Sequence, residues 1–189
     1  MTDDTDASTP PRLSSQDLQR MAHRSTTQVY RVFIRTTPQA IWEAITLPEW
    51  TVRYGYTGRV EADLRPGGAY RVRPGDGLRN ALERAGQPVP DPIMEGEVIE
   101  AEPPSKLVYV SRMLMDPEMA AEPLTRVSYD IADRGDGTCS LTLTHELEGS
   151  PRLAAVVSGD LHDVGAGGGH PWMLSDLKTL LETGRSLAS

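Results

Sequence analysis

From Ile93 to Leu147 the chain is almost continuously strand-like, and this constrains the fold more than any other feature. Four runs, Ile93 to Glu100, Lys106 to Leu114, Leu124 to Ala132 and Thr138 to Leu147, are separated by breakers that include Pro103-Pro104 and Gly135-Asp136-Gly137. They predict an antiparallel meander. Upstream, Val60, Ala62 and Leu64 alternate with Arg59, Glu61 and Asp63; Pro66-Gly67-Gly68 then marks a turn, and Ala69 to Arg73 returns as another strand. Val29 to Arg35, rich in β-branched and aromatic residues, predicts the first strand. Two short helices follow it. Thr37 caps the first, with Pro38 in its first turn and Ile41, Trp42 and Ile45 as its apolar stripe. The second is expected over Glu49 to Tyr54, with Trp50 and Tyr54 four apart and Gly55 ending it.

The last element is a helix over Pro171 to Thr183, with Met173, Leu174, Leu177, Leu180 and Leu181 at helical spacing and Gly184 at its end. A twisted antiparallel sheet must bury its apolar face, and this helix is the one large element left to cover it. The expected fold is therefore α+β, a helix-grip. A curved antiparallel sheet of six to seven strands wraps a long C-terminal helix, with two short helices after strand one. The space between sheet and helix is then either filled by side chains or left as a ligand cavity, and such cavities are mostly apolar.

A chain of 189 residues fits one domain. Residues 1–27, acidic at Asp3, Asp4 and Asp6 and then carrying Thr9-Pro10-Pro11, read as a mobile tail in which Ser15 to Arg24 could make two helical turns. Residues 28–189 are the domain. Within it, Gly75 to Pro92 reads as an insertion, with Leu78, Ala81, Leu82 and Ala85 on one face of a short helix between breaker-rich flanks. That helix is expected to act as a mobile lid over the cavity or as a dimer contact. The acidic start lacks the basic and apolar stretches of an export signal, and the single cysteine, Cys139, cannot close an internal disulfide, so a cytoplasmic location is expected. The longest apolar run, Leu153 to Val157, is five residues, against the ~20 of a membrane span, so no membrane partner is expected. A net charge of −8 argues against a nucleic-acid partner, because phosphate binding relies on clustered Lys and Arg.

Four stretches carry a family resemblance: Val32-Phe-Ile-Arg-Thr-Thr-Pro-Gln-Ala-Ile-Trp-Glu-Ala-Ile45, Arg59-Val-Glu-Ala-Asp-Leu-Arg-Pro-Gly67, Gly96-Glu-Val-Ile-Glu-Ala-Glu-Pro-Pro104 and Leu174-Ser-Asp-Leu-Lys-Thr-Leu-Leu-Glu-Thr-Gly184. With the element order they span about residues 28–184, and the chain resembles the START-like helix-grip (SRPBCC) superfamily, within it the bacterial relatives of the domain that activates the Hsp90 ATPase. The resemblance implies the helix-grip fold. Similar proteins include lipid carriers, hormone receptors and aromatic polyketide cyclases, so it does not fix a function. Such relatives commonly carry Gly-Trp where the terminal helix starts. Here the pair is Gly169-His170, which puts a titratable group in place of an indole.

His170 shares a helix face with Met173, Leu174 and Leu177 and so points toward the grip, as a proton-transfer group or hydrogen-bond donor, or else caps the helix end in solvent. His145 alternates with Cys139, Leu141 and Leu143 on the inner face of its strand. Strand and helix could bring the two imidazoles together, or His145 could be a satisfied histidine at the sheet edge. These two are the catalytic candidates. Trp42, Trp50, Tyr54, Tyr109 and Tyr129 join His145, His170, Met173, Leu174 and Leu177 as the expected ligand-binding surface, although Tyr and Trp also suit a half-wet core edge. Gly165-Ala-Gly-Gly-Gly169 lacks the strand and the Gly-Lys-Ser/Thr ending of a phosphate loop and reads as a hinge. Asp160, His162 and Asp163 have no compact second pair nearby and read as a polar loop, so no metal and no cofactor is expected. The leading expectation is a protein that binds a small apolar or aromatic molecule, as a monomer or homodimer. The alternative is a cyclase or dehydratase acting on a polyketide-like substrate through a pocket histidine, and a chaperone-binding role, implied only by the resemblance, comes last.

Overall fold

A computed structural model describes residues 26–84, 86–164 and 167–187. The anticipated tail and its Ser15 to Arg24 helix lie outside them. The strands are β1 (Thr27–Ile34), β2 (Arg59–Ala62), β3 (Ala69–Arg73), β4 (Met94–Glu102), β5 (Lys106–Met113), β6 (Thr125–Asp133) and β7 (Cys139–Glu146). They form one seven-stranded sheet in the order β1-β7-β6-β5-β4-β3-β2, with every neighbouring pair antiparallel. Helices α1 (Pro38–Thr46) and α2 (Pro48–Thr51) carry the chain from edge strand β1 to edge strand β2. Thr37 caps α1 as expected, its hydroxyl accepting the Ala40 amide at 3.2 Å. The second helix is shorter than Glu49 to Tyr54, because Val52 ends it and Tyr54 turns into the core, where its hydroxyl donates to the Ala44 carbonyl at 3.1 Å.

The inserted helix is α3 (Asp76–Arg84). Its flanks are fastened: Asp91 bridges Arg73 of β3 and Arg79 of α3 at 2.8 and 3.3 Å, and Pro74-Gly75 is buried. A Cβ on Gly75 would sit 2.2 Å from the Thr57 carbonyl oxygen, so this flank is packed tightly and is not a free hinge. Leu78 and Leu82 are half-buried and lie outside the main core. Two further helices had no counterpart in the sequence reading, α4 (Pro117–Ala120) and α5 (Pro151–Ser158). The chain closes with α6 (Gly169–Thr183), which starts two residues earlier than expected and ends at Gly184 in the left-handed conformation.

One core lies between the concave sheet face and α1 and α6. Ile34, Ile41, Val98, Leu107, Leu141, Leu143, Leu174 and Leu177 are all fully buried there. At the β1–β7–β6 end, α5 packs on α6 and forms a small second cluster from Leu147, Leu153 and Val157. The start of α6 approaches the end of α5 so closely that a Cβ on Gly169 would meet the Val157 carbonyl oxygen at 2.3 Å, and Gly169 also has φ +62°. Only glycine fits there, and its placement aims the next residue, His170.

Candidate functional site

The concave face is apolar except along one polar row. Gln28 of β1 stands opposite His145 of β7, and Thr125 of β6 stands opposite Ser111 of β5. Thr125 precedes by two residues Val127, the β6 partner of His145, so it shares that face. His145, Thr125 and Ser111 are each at most 3% exposed. Burying such groups costs free energy unless each finds a partner, and the chain supplies them.

The Thr125 hydroxyl donates to the Ser111 carbonyl at 3.3 Å, and Nε2 of His145 lies 2.9 Å from the same hydroxyl oxygen. Nδ1 of His145 lies 2.9 Å from Nε2 of His170 on α6. Tyr30 meets the His170 ring edge-on, with centroids 5.7 Å apart, and its hydroxyl donates to Gln28 Oε1 at 2.8 Å. Gln28 Nε2 in turn donates to the Ala154 carbonyl of α5 at 2.9 Å. Burial disfavours the charged imidazolium at both rings. It brings His170 down to about 4, and burial followed by the neighbouring His170 ring brings His145 down to about 3. Near neutral pH both imidazoles are uncharged.

Four tyrosines fill the middle of the grip. Tyr70 and Tyr109 stack with centroids 3.8 Å apart and planes 10° from parallel, and Tyr129 lies 6.4 Å beyond Tyr109. The side chains of Tyr70, Tyr109 and Tyr129 follow one another through the core with their hydroxyls near enough to interact, and burial raises all three pKa values, as it does that of Tyr54. They stay protonated. The open cavity weighed in the sequence is therefore closed by these side chains. Two open depressions, of ≈560 and ≈430 Å³, lie elsewhere, one beside Asn80, Glu83 and Arg84 and one on the outer sheet face around Arg31, Lys106 and Asp130.

Of the expected residues, the structure brings His145 and His170 into direct contact and collects Tyr54, Tyr109, Tyr129, Leu174 and Leu177 in one core. Trp42 is buried in that core from α1. Trp50 and Met173 are half-buried at its margin, with the Arg53 guanidinium 4.5 Å over the Trp50 ring. Tyr70, Gln28, Thr125 and Ser111 were missed, although Thr125 shares its strand face with Tyr129 and Ser111 shares its strand face with Tyr109. Asp176 was missed as well. It is fully buried on α6, and its carboxylate accepts the Gly55 amide at 2.7 Å, the Leu187 amide at 2.6 Å and the Ser186 hydroxyl at 2.9 Å. Asp160 accepts the Ser158 hydroxyl at 2.8 Å, and His162 begins a short 3-10 turn. Among the described residues, no group of three or more His, Cys, Asp or Glu could hold a metal ion, and no helix is long and apolar enough to cross a membrane.

Solved structures share this architecture. CalU16 from Micromonospora echinospora is 19% identical, with a TM-score of 0.51 over 73% of this chain and 70% of its own. A Mesorhizobium loti protein, MLL2253, is 17% identical, with a TM-score of 0.58 over 82% of this chain and 96% of its own. The Aha1 dimer from Colwellia psychrerythraea is 15% identical, with a TM-score of 0.56 over 85% of this chain and 98% of its own. At these identities the likeness is one of fold. No curated protein is similar enough to match. The family model described as Activator of Hsp90 ATPase homolog 1-like protein matches residues 35–182. That span runs from the end of β1 through nearly all of α6, and the chain belongs to this family.

Proposed function

We propose that the protein binds a small aromatic or apolar molecule between the sheet and α6. The tyrosine series carries this reading. The chain's single phenylalanine, Phe33, is half exposed on the outer face, whereas Tyr54, Tyr70, Tyr109 and Tyr129 are buried in the grip. Buried hydroxyls are costly unless bonded, and here four of them are concentrated in one core. The neighbouring hydroxyls of Tyr70, Tyr109 and Tyr129 offer polar groups that a ligand oxygen can engage. The Tyr70–Tyr109 stack also supplies flat apolar area suited to a ring. In the free protein the tyrosines occupy the space themselves, so binding requires them to turn aside.

Thermal unfolding with and without a flat aromatic probe such as 2-naphthol tests this. A ligand at about 100 times its Kd adds about 2.7 kcal/mol of stability and raises Tm by several degrees. Loss of that rise in a Tyr109→Leu variant that still folds supports the grip as the site. No rise with any of a panel of one- to three-ring aromatics overturns the reading.

Proton transfer on a polyketide-like substrate is supported less well by the same site. A general base works best with a pKa near the working pH, and burial leaves both imidazoles weakly basic. The chaperone-binding reading has no observation of its own on this chain.

A further inference from the structure

The polar row has a direction. A threonine hydroxyl has one proton, and with that proton given to the Ser111 carbonyl at 3.3 Å the Thr125 oxygen accepts from His145 at 2.9 Å. His145 therefore carries its proton on Nε2. A neutral imidazole has one N–H, so Nδ1 of His145 is an acceptor, and the proton in the 2.9 Å contact with His170 sits on His170 Nε2. This leaves Nδ1 of His170 as a bare lone pair. It has no partner among the described residues, and His170 keeps part of its surface open where His145 does not.

We infer that Nδ1 of His170 is the polar recognition point of the grip and accepts a hydrogen bond from a ligand hydroxyl, so that the ligand is a phenol or an alcohol with an apolar body. The inference rests on the ligand-binding reading and adds polarity to it. A carboxylate or an ether presents only lone pairs, which would face the lone pair of His170. A hydroxyl extends the relay by one bond, as ligand O–H to His170, His170 N–H to His145, His145 N–H to Thr125, and Thr125 O–H to Ser111. The neutrality of both rings agrees, since an imidazolium at His170 would offer a donor there instead. Tyr30 lies edge-on to the His170 ring with its hydroxyl given to Gln28, so it offers His170 no hydrogen bond. Among the described residues, no carboxylate or basic side chain shifts either imidazole, whose environment is set by burial and by the other ring.

Two measurements test it. In long-range 1H–15N spectra of the labelled protein at neutral pH, His145 and His170 are both expected as Nε2–H tautomers with unprotonated Nδ1. Protonated Nδ1 on His170 overturns the inference. Calorimetric titrations with 2-naphthol, 2-methoxynaphthalene and 2-naphthoate form the second. The naphthol is expected to bind about tenfold tighter than the other two, and His170→Leu to erase the difference. Ether or naphthoate binding as tightly as naphthol overturns the inference while leaving the grip as a binding site. If none of the three binds, the ligand-binding reading fails on its own account, and the tautomer pattern still decides whether His170 offers an acceptor.

Discussion

Asp176 and the His145–His170 pair place polar groups on the same helix and core, yet their bonding differs in one respect. The Asp176 carboxylate is closed: three donors surround it, two of them backbone amides from segments distant in sequence, Gly55 and Leu187. The histidine pair is open, because its chain of hydrogen bonds stops at His170 Nδ1, which has no partner among the described residues. Closed bonding pins the loop after α2 and the chain beyond α6 to the terminal helix. Open bonding leaves a capacity that only an added molecule can use. A buried polar group on its own is therefore no pointer to function; an uncompleted hydrogen-bond series is a sharper one.

The largest effect expected from a single substitution that breaks this contrast is at the closed site. Asp176→Asn replaces an acceptor-only group with one that turns an amide donor toward other donors, and urea unfolding should show a loss of about 3–5 kcal/mol. A loss below about 1 kcal/mol would mean that the three bonds are not structural. Acidification reaches the open site. Both histidines have folded-state pKa values below the ordinary 6.5, at about 3 and about 4. The stability they contribute is therefore complete above pH 6.5 and is lost as pH falls from there toward 4. That loss, on the order of 3 kcal/mol for each ring and about 6 kcal/mol for the pair, should largely disappear in a His145→Leu/His170→Leu double variant measured over the same range. A third test concerns the tyrosines, which stand between the two cases. Tyr109→Phe breaks the middle of their series and should cost about 1 kcal/mol in the free protein.

Much of this was legible in the sequence because it followed from short-range pattern. Period-two alternation located the strands of the meander, and it also placed His145 on the face that α6 covers. The i, i+3, i+4 and i+7 spacing from His170 through Leu177 turned that histidine toward the same face, so the meeting of the two rings could be foreseen from periodicity alone. Thr125 was hidden because its role depends on a strand register, set against Ser111, that no local pattern reports. Asp176 was hidden for the opposite reason. On an amphipathic helix an aspartate reads as a solvated position, and only the return of Ser186 and Leu187 beyond Gly184 buries it. The inserted helix was recognised, but its fastening by Asp91 to Arg73 and Arg79 is a tertiary contact that breaker-rich flanks do not announce.

Helix α5 carries a consequence for the order in which the molecule assembles. Its first amides, those of Arg152 and Leu153, are held by the carboxylate of Glu122 at 2.8 and 3.1 Å, from the segment that precedes β6. An eight-residue helix is too short to persist by itself in water, and its cap arrives only after the β6–β7 hairpin has folded the intervening chain back. Formation of α5 is therefore contingent on that hairpin, which makes it a late-forming and early-fraying unit in amide exchange. Since α5 holds Gln28 through the Ala154 carbonyl, its fraying releases that one side chain of β1 while the sheet stays intact, at a free energy that belongs to one short helix rather than to the whole fold.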